Sequence, residues 1–348
     1  MLFRSKEDLN SLRSIYPRWL KHLEACYTAS TTIRRYDCDW NRWLSKDPLM
    51  DAPIQELDYV TLYEWANGFV KGNNAAKQPL TKKQYYNVCI IIKGCFDLAL
   101  QKNVIRDNAF LRVKIKKKHF YIPEKPFVDD RDQVFNAEEF PELRKLALEE
   151  YYTKRDEVAL AVFLISFTGI RAAEACALKW KSFNEDFSRV FISAQVVKEE
   201  KQDANGKWKK PKWIYVNYTK SENGRRSIYI PEDIRGILAE HKSYKSPESD
   251  EEMVFSRANG HYITNNQTYR RTVKYSNKIH TYRKGTHKLR KTYLTTLYDG
   301  GVHESTLTKI AGQSMDGKVL HIHYLKDRKS EDEVNQKLDE LMKFARHP

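Results

Sequence analysis

The sequence predicts an α+β fold: an all-helical N-terminal lobe, then a mainly helical lobe that carries a small three-stranded antiparallel sheet. Three observations lead there. Apolar residues recur at helical spacing through residues 1–110 and again after Pro231. Between these regions lie three stretches rich in β-branched and aromatic residues: Arg189–Val197, Trp213–Tyr218 and Arg226–Ile230. Asn205-Gly206 and Asn223-Gly224 mark turns between them, and no strand–helix–strand alternation of a parallel sheet occurs.

In chain order, Ser30 is placed to cap a helix carrying Ile33, Tyr36, Trp40 and Trp43 on one face. Thr81 is placed to cap a longer helix with the apolar stripe Tyr85, Val88, Ile92, Cys95, Phe96 and Ala99. The start of that helix holds Lys82, Lys83 and Gln84, with Asn87 one turn on. Such a helix N-terminus suits phosphate and base contacts, and equally suits a solvated face. The stretch Leu111–His119, with Lys116, Lys117 and Lys118, is strongly basic and is followed by Pro123 and Pro126. It reads as a tether able to lie along DNA. The division expected is a helical domain over 1–113, a basic linker over 114–133, a second domain over 134–329 and a tail helix over 330–348. In the second domain Asn136 is placed to cap a helix to about Tyr151. Arg155–Phe167 is apolar nearly all round, hence a buried helix, and Thr168-Gly169 ends it. Met253–Phe255 is the one short extended stretch after Pro231.

The chain has 348 residues and a formal net charge of +15, with 61 Lys and Arg against 46 Asp and Glu. That excess favours a polyanionic partner, because cations near phosphates release condensed counterions. The bland alternative is a merely basic protein. A membrane-surface binder would want a basic amphipathic helix or a lipidation signal, and neither is evident. The longest apolar stretch, Val158–Phe167, is far short of the ~20 residues that span a bilayer. The five cysteines are odd in number and show no C-x-x-C pair, which implies a reducing compartment and a cytoplasmic, soluble chain. Neither a metal nor another cofactor is expected.

Three contexts carry candidate chemistry. In Thr168-Gly169-Ile170-Arg171-Ala172-Ala173-Glu174, an arginine opens a helix just after a glycine break, beside unsatisfied backbone N–H groups. Taken alone, Arg171 and Glu174 would pass for a surface ion pair. In His287-Lys288-Leu289-Arg290, the histidine and arginine share one helix face. An arginine grips two phosphate oxygens at once, and a histidine of ordinary pKa near ~6.5 exchanges protons at neutral pH. In Tyr218-Thr219-Lys220-Ser221-Glu222-Asn223-Gly224, a lysine ends the first strand of an inferred hairpin. An ordinary exposed lysine would look the same.

Taken in order, these contexts resemble the tyrosine recombinases, also called the phage-integrase family. The shared order is T-G-x-R-x-x-E, a lysine in a β-hairpin, H-x-x-R and a C-terminal tyrosine. The resemblance spans about residues 10–345, and the pattern is similar to that of integrases of conjugative transposons and related mobile elements. It implies that the N-terminal lobe is a core-binding domain. It also implies a nucleophile at Tyr324, twelve positions after Gly312. The sequence departs from the family where a histidine or tryptophan usually follows that glycine; here it is Gln313. The usual Thr-Thr pair before the tyrosine is missing too, and His321 and His323 stand nearby as alternative imidazoles.

The mechanism that the resemblance implies is transesterification. Arg171 and Arg290 clamp the scissile phosphate with His287 and Gln313 assisting, and Tyr324 forms a 3′-phosphotyrosyl link. Lys220 protonates the departing 5′ oxygen, and neither ATP nor metal enters. The implied partners are double-stranded DNA with an inverted-repeat core site and three further copies of the chain, joined in a homotetramer by exchange of the tail helix. Integrases of large elements carry an arm-binding domain ahead of the core-binding domain; the short segment here implies a simple recombinase or a chain from which that domain was removed. Two rivals stay open: a catalytically weakened DNA-binding relative, and a type IB topoisomerase that relaxes DNA without joining two sites.

Overall fold

The computed structural model describes residues 10–26, 28–124, 130–204, 206–257 and 259–313. The chain divides into two compact units: Met1–Pro126 with Glu199–Lys212, and Phe127–Lys198 with Trp213–Pro348.

The described part of the first unit is built on four α-helices: α1 (Leu12–Ala25), α2 (Ser30–Asp39), α3 (Tyr59–Val70) and α4 (Lys82–Gln101). Side chains that accept from the first-turn amides start three of them. Ser11 caps α1, Asp58 caps α3 and Thr81 caps α4, the last in a reciprocal box with Gln84. Ser30 does not cap α2. It is the first helical residue, and its hydroxyl accepts from the Glu200 amide at 3.0 Å instead. The expected single helix through Trp43 also ends sooner, because a π-helical turn takes over at Trp40–Leu44. Leu12, Ile15, Trp19, Trp43, Leu62, Phe69, Ile92 and Phe96 are among the buried residues of the first unit's core. The basic stretch lies against this core through Val113, Ile115 and buried Phe120, while Lys116, Lys117 and Lys118 face outward. The 199–212 excursion is held by Trp208, whose indole N–H donates to Asp37 Oδ2 at 2.7 Å, and by an Arg34–Glu200 ion pair at 2.7 Å.

The second unit is wound around a buried helix. After α5 (Glu139–Lys154) comes α6 (Glu157–Thr168), which packs against α5, α9 (Asn265–Lys278) and α10 (Thr286–Asp299). Its apolar run Ala159–Ile165 is buried on every side, which is why it shows no amphipathic stripe. Asn136 Oδ1 accepts from the Glu138 and Glu139 amides at 3.0 and 2.7 Å, but the helix starts at Glu139, so Asn136 stands two residues ahead of the N-cap position expected for it, which Glu138 takes. Among the described residues the remaining α-helices are α7 (Ala172–Ala175), α8 (Glu232–Lys245) and α11 (Glu304–Ala311).

The strands depart from the expected sheet. They are β1 (Arg189–Ile192), β2 (Gln195–Glu199), β3 (Lys212–Val216) and β4 (Arg226–Tyr229). Among the described residues they form two separate two-stranded sheets, β1 with β4 and β2 with β3, rather than one of three strands. The expected first strand breaks at Ser193-Ala194. β1 and β4 both alternate buried and exposed residues, so they pair antiparallel, with Ile192 opposite Arg226 and Val190 opposite Ile228. β3 lacks that alternation and stays half-buried, beside β2.

Candidate functional site

The site begins where α6 stops. Gly169 ends the helix at φ 60°, in the left-handed region, and the ring of Tyr293 from α10 sits so close that a Cβ would lie 2.2 Å from its Cδ1. Behind this turn, the Arg144 guanidinium lies between the rings of Phe140 and Phe167 and donates to the Ser166 carbonyl at 2.8 Å. Burial pulls the Arg144 pKa down to about 10. The turn delivers Arg171 to the N-cap position of α7.

Arg171 and Glu174 do pair, at 2.8 Å, but not as a surface pair. Glu174 is 3% exposed and also accepts from both amino groups of Arg226, at 2.7 and 3.1 Å. Burial pushes the Glu174 pKa up, but the Arg226 hydrogen bond and the charges of Arg226, Arg171 and Arg290 outweigh it and hold the carboxyl at about 2. This carboxylate is therefore ionised at every physiological pH.

The C-terminus of α11 completes the arrangement. Helix ends leave carbonyls without intrahelical partners, and cations stabilise them. Three consecutive carbonyls here accept from three different arginines. Arg226 Nε donates to Ile310 at 2.8 Å, Arg290 Nη2 to Ala311, and Arg171 Nη2 reaches Gly312 at 3.4 Å. Arg290 Nη1 also donates to the Gly169 carbonyl at 2.6 Å, so one guanidinium joins the α6 turn to the α11 end. Gly312 adopts φ 56°, and a Cβ there would lie 2.8 Å from the Asn223 carbonyl oxygen and 3.1 Å from Arg226 Nη1. Gln313 follows, with its side-chain oxygen buried and lacking a hydrogen-bond partner among the described residues.

His287 lies in the first turn of α10 and is exposed. Desolvation, then the cations Lys291, Arg290, Lys288 and Arg171, lower its pKa to about 4. Its imidazole is neutral at pH 7. The loop before it is anchored by buried Lys284, which donates to Glu139 at 2.6 Å and to Thr281 at 2.9 Å.

Lys220 is exposed, and its setting differs from the inferred hairpin. It lies in the connection between β3 and β4, which belong to different sheets. That connection is folded tightly: Thr219 packs against Gly224, and Thr219 Oγ1 donates to the Ser221 carbonyl at 2.7 Å. Tyr324, His321, His323 and the tail helix expected over 330–348 lie outside the described residues.

The structure thus brings Arg171, His287, Arg290 and the turn bearing Gln313 into one region. In the first unit, Lys82 and Lys83 are exposed at the start of α4, and Asn87 is half-buried. Gln84 directs its carbonyl oxygen to the Thr81 amide and hydroxyl, at 2.9 and 2.8 Å. Sequence reasoning missed Arg226. A usable signal existed, since the alternation of β4 puts residues 226 and 228 inward, and an inward arginine requires a buried acceptor.

The model of the phage integrase family matches residues 133–331. A "Tyrosine recombinase XerC-like" protein of Caldanaerobacter subterraneus subsp. tengcongensis is 21% identical over 318 residues, covering 87% of this chain and 76% of the relative. Among solved structures, the Tn1549 transposon integrase in complex with a circular intermediate DNA aligns at 20% identity, over 95% of this chain and 99% of that one, with a TM-score of 0.61. The XerH site-specific recombinase bound to palindromic difH substrate aligns at 15% identity, over 97% and 98%, with a TM-score of 0.60. At such identities these structures show a shared fold. The family model matches more than half of the sequence, and on that match the chain belongs to the phage integrase family.

Proposed function

We propose that the chain is a site-specific DNA recombinase that cleaves and rejoins strands through a covalent 3′-phosphotyrosyl intermediate and so integrates or excises a mobile element. The observation that carries this reading is the convergence of Arg171 and Arg290, 119 residues apart in sequence, on the α11 end, with His287 close enough to feel both charges. Arg171, with 29% of its side chain exposed, makes the main grip on the scissile phosphate, and Arg290 adds charge from below. Neutral His287 and Gln313 supply hydrogen bonds, and a bound phosphate favours protonation of the imidazole. Tyr324 attacks phosphorus, its phenolate favoured by these cations over the ordinary pKa near ~10. Lys220 protonates the 5′ oxygen that leaves. One phosphodiester is exchanged for another, so the energy of the bond is kept.

In this reading the first unit is the core-binding domain, with Lys82, Lys83, Gln84, Asn87 and Lys116–Lys118 on the DNA. The DNA is an inverted-repeat core site, and residues 330–348 dock on a neighbouring protomer in a tetramer. Gln313 in the usual place of an imidazole favours one second reading, a relative that binds such a site but cleaves it weakly.

The test uses a nicked half-site duplex, in which the short fragment bearing the released 5′ hydroxyl diffuses away and so traps the adduct. With a chelator present, the native chain forms a covalent protein–DNA adduct, and Tyr324→Phe binds the same duplex and forms none. Binding without an adduct from the native chain would leave the weakly cleaving relative instead.

A further inference from the structure

Arg226 ties three segments of this site together. Its guanidinium donates to the Glu174 carboxylate at 2.7 and 3.1 Å, to the Ile310 carbonyl at 2.8 Å and to the Gly224 carbonyl at 2.7 Å. These acceptors sit on three segments. One carries Arg171, one leads into Gln313, and one closes the connection that bears Lys220. Its own side chain is 6% exposed, too buried to meet a large ligand.

The charges matter as much as the bonds. Glu174 alone with Arg171 would make a neutral pair, and a phosphate would meet only a dipole. Glu174 between two arginines makes a triad of net charge +1. Within it Arg226 is enclosed and Arg171 is open to solvent, so the excess positive charge acts through Arg171. We propose that Arg226 is a positioning residue for strand cleavage, which neutralises Glu174 so that Arg171 keeps its charge for the phosphate.

This rests on the recombinase reading, so the experiment measures the native chain alongside. Four proteins are compared on the nicked half-site: native, Arg226→Met, Arg226→Lys, and Arg226→Met combined with Glu174→Gln. Adduct formation is followed in a single turnover at saturating DNA, with half-saturation and thermal unfolding measured separately. Arg226→Met leaves Glu174 to claim Arg171, and its rate falls at least tenfold with half-saturation little changed. Glutamine keeps the shape of Glu174 and can still accept from Arg171, so the double variant restores the +1 and recovers most of the lost rate. Arg226→Lys, with the charge but not the fork, falls between native and Arg226→Met, and it serves in place of the latter should that variant not fold. Two results would overturn the proposal: a rate per folded molecule unchanged in the single variants, or a double variant that regains stability but not rate. No adduct from the native chain would instead remove the recombinase reading beneath it.

Discussion

Arg290 is 2% exposed and directs its two amino groups to the Gly169 and Ala311 carbonyls, whereas Arg171 keeps an open face. The pair was legible as two motifs, yet their division of labour depends on burial, which local sequence does not encode. Arg226 could be read as an inward arginine from the alternation of β4, but its partner could not. Its carboxylate partner is 52 residues away, and only the assembled unit puts the two in contact. His287 makes a claim that can be tested at this scale. Its pKa of about 4 in the folded chain lies below the ordinary value near ~6.5, so between them the unfolded state binds the extra proton. Its contribution to stability is intact above pH ~6.5 and is lost as pH falls toward 4. Buried His241, whose ring meets the Tyr151 hydroxyl and the Val254 carbonyl, is shifted in the same direction by burial. Urea unfolding at pH 7 and pH 5 should therefore show a smaller loss of stability on acidification for His287→Gln than for the native chain. Equal losses would contradict the shift assigned to His287.

At the scale of elements, the site is a set of helix ends. The C-terminus of α6 turns at Gly169, the N-terminus of α10 carries His287, and the C-terminus of α11 is held by three arginines. The Gly169 break and the cap at Thr81 were readable because both are local chemistry, a left-handed turn and a reciprocal cap. The sheet was not, because strand pairing is a long-range choice made here by burial alternation in β1 and β4. Ser30 likewise looked like a cap, and a distant amide claimed its hydroxyl. Gly312 gives the element-scale prediction. An alanine there meets a strained φ and a backbone oxygen at 2.8 Å that cannot yield without moving the Lys220 connection. Gly312→Ala should cost about 1–3 kcal/mol in chemical unfolding and lower the cleavage rate further than that loss explains. A variant as stable and as active as native would show that the α11 end is not held this tightly.

For the molecule as a whole, the net charge of +15 and the two-unit division suit a protein that works on DNA. Composition pointed to a polyanion, and the ordered motifs narrowed it to a recombinase; the family match over residues 133–331 agrees. The assignment of 199–212 to the first unit was out of reach, because the tip of a strand pair carries no local mark of what it packs on. Among the described residues, no helix is long and apolar enough to cross a membrane. In the proposed mechanism Arg171 and Arg290 hold a DNA strand for attack by Tyr324. Protease digestion of the trapped adduct, followed by mass spectrometry of the cross-linked peptide, tests it most directly. The expected result is one nucleotide-bearing peptide, with the 3′ phosphate on Tyr324. A phosphate on any other side chain, or a cleaved strand with no protein attached, would contradict it.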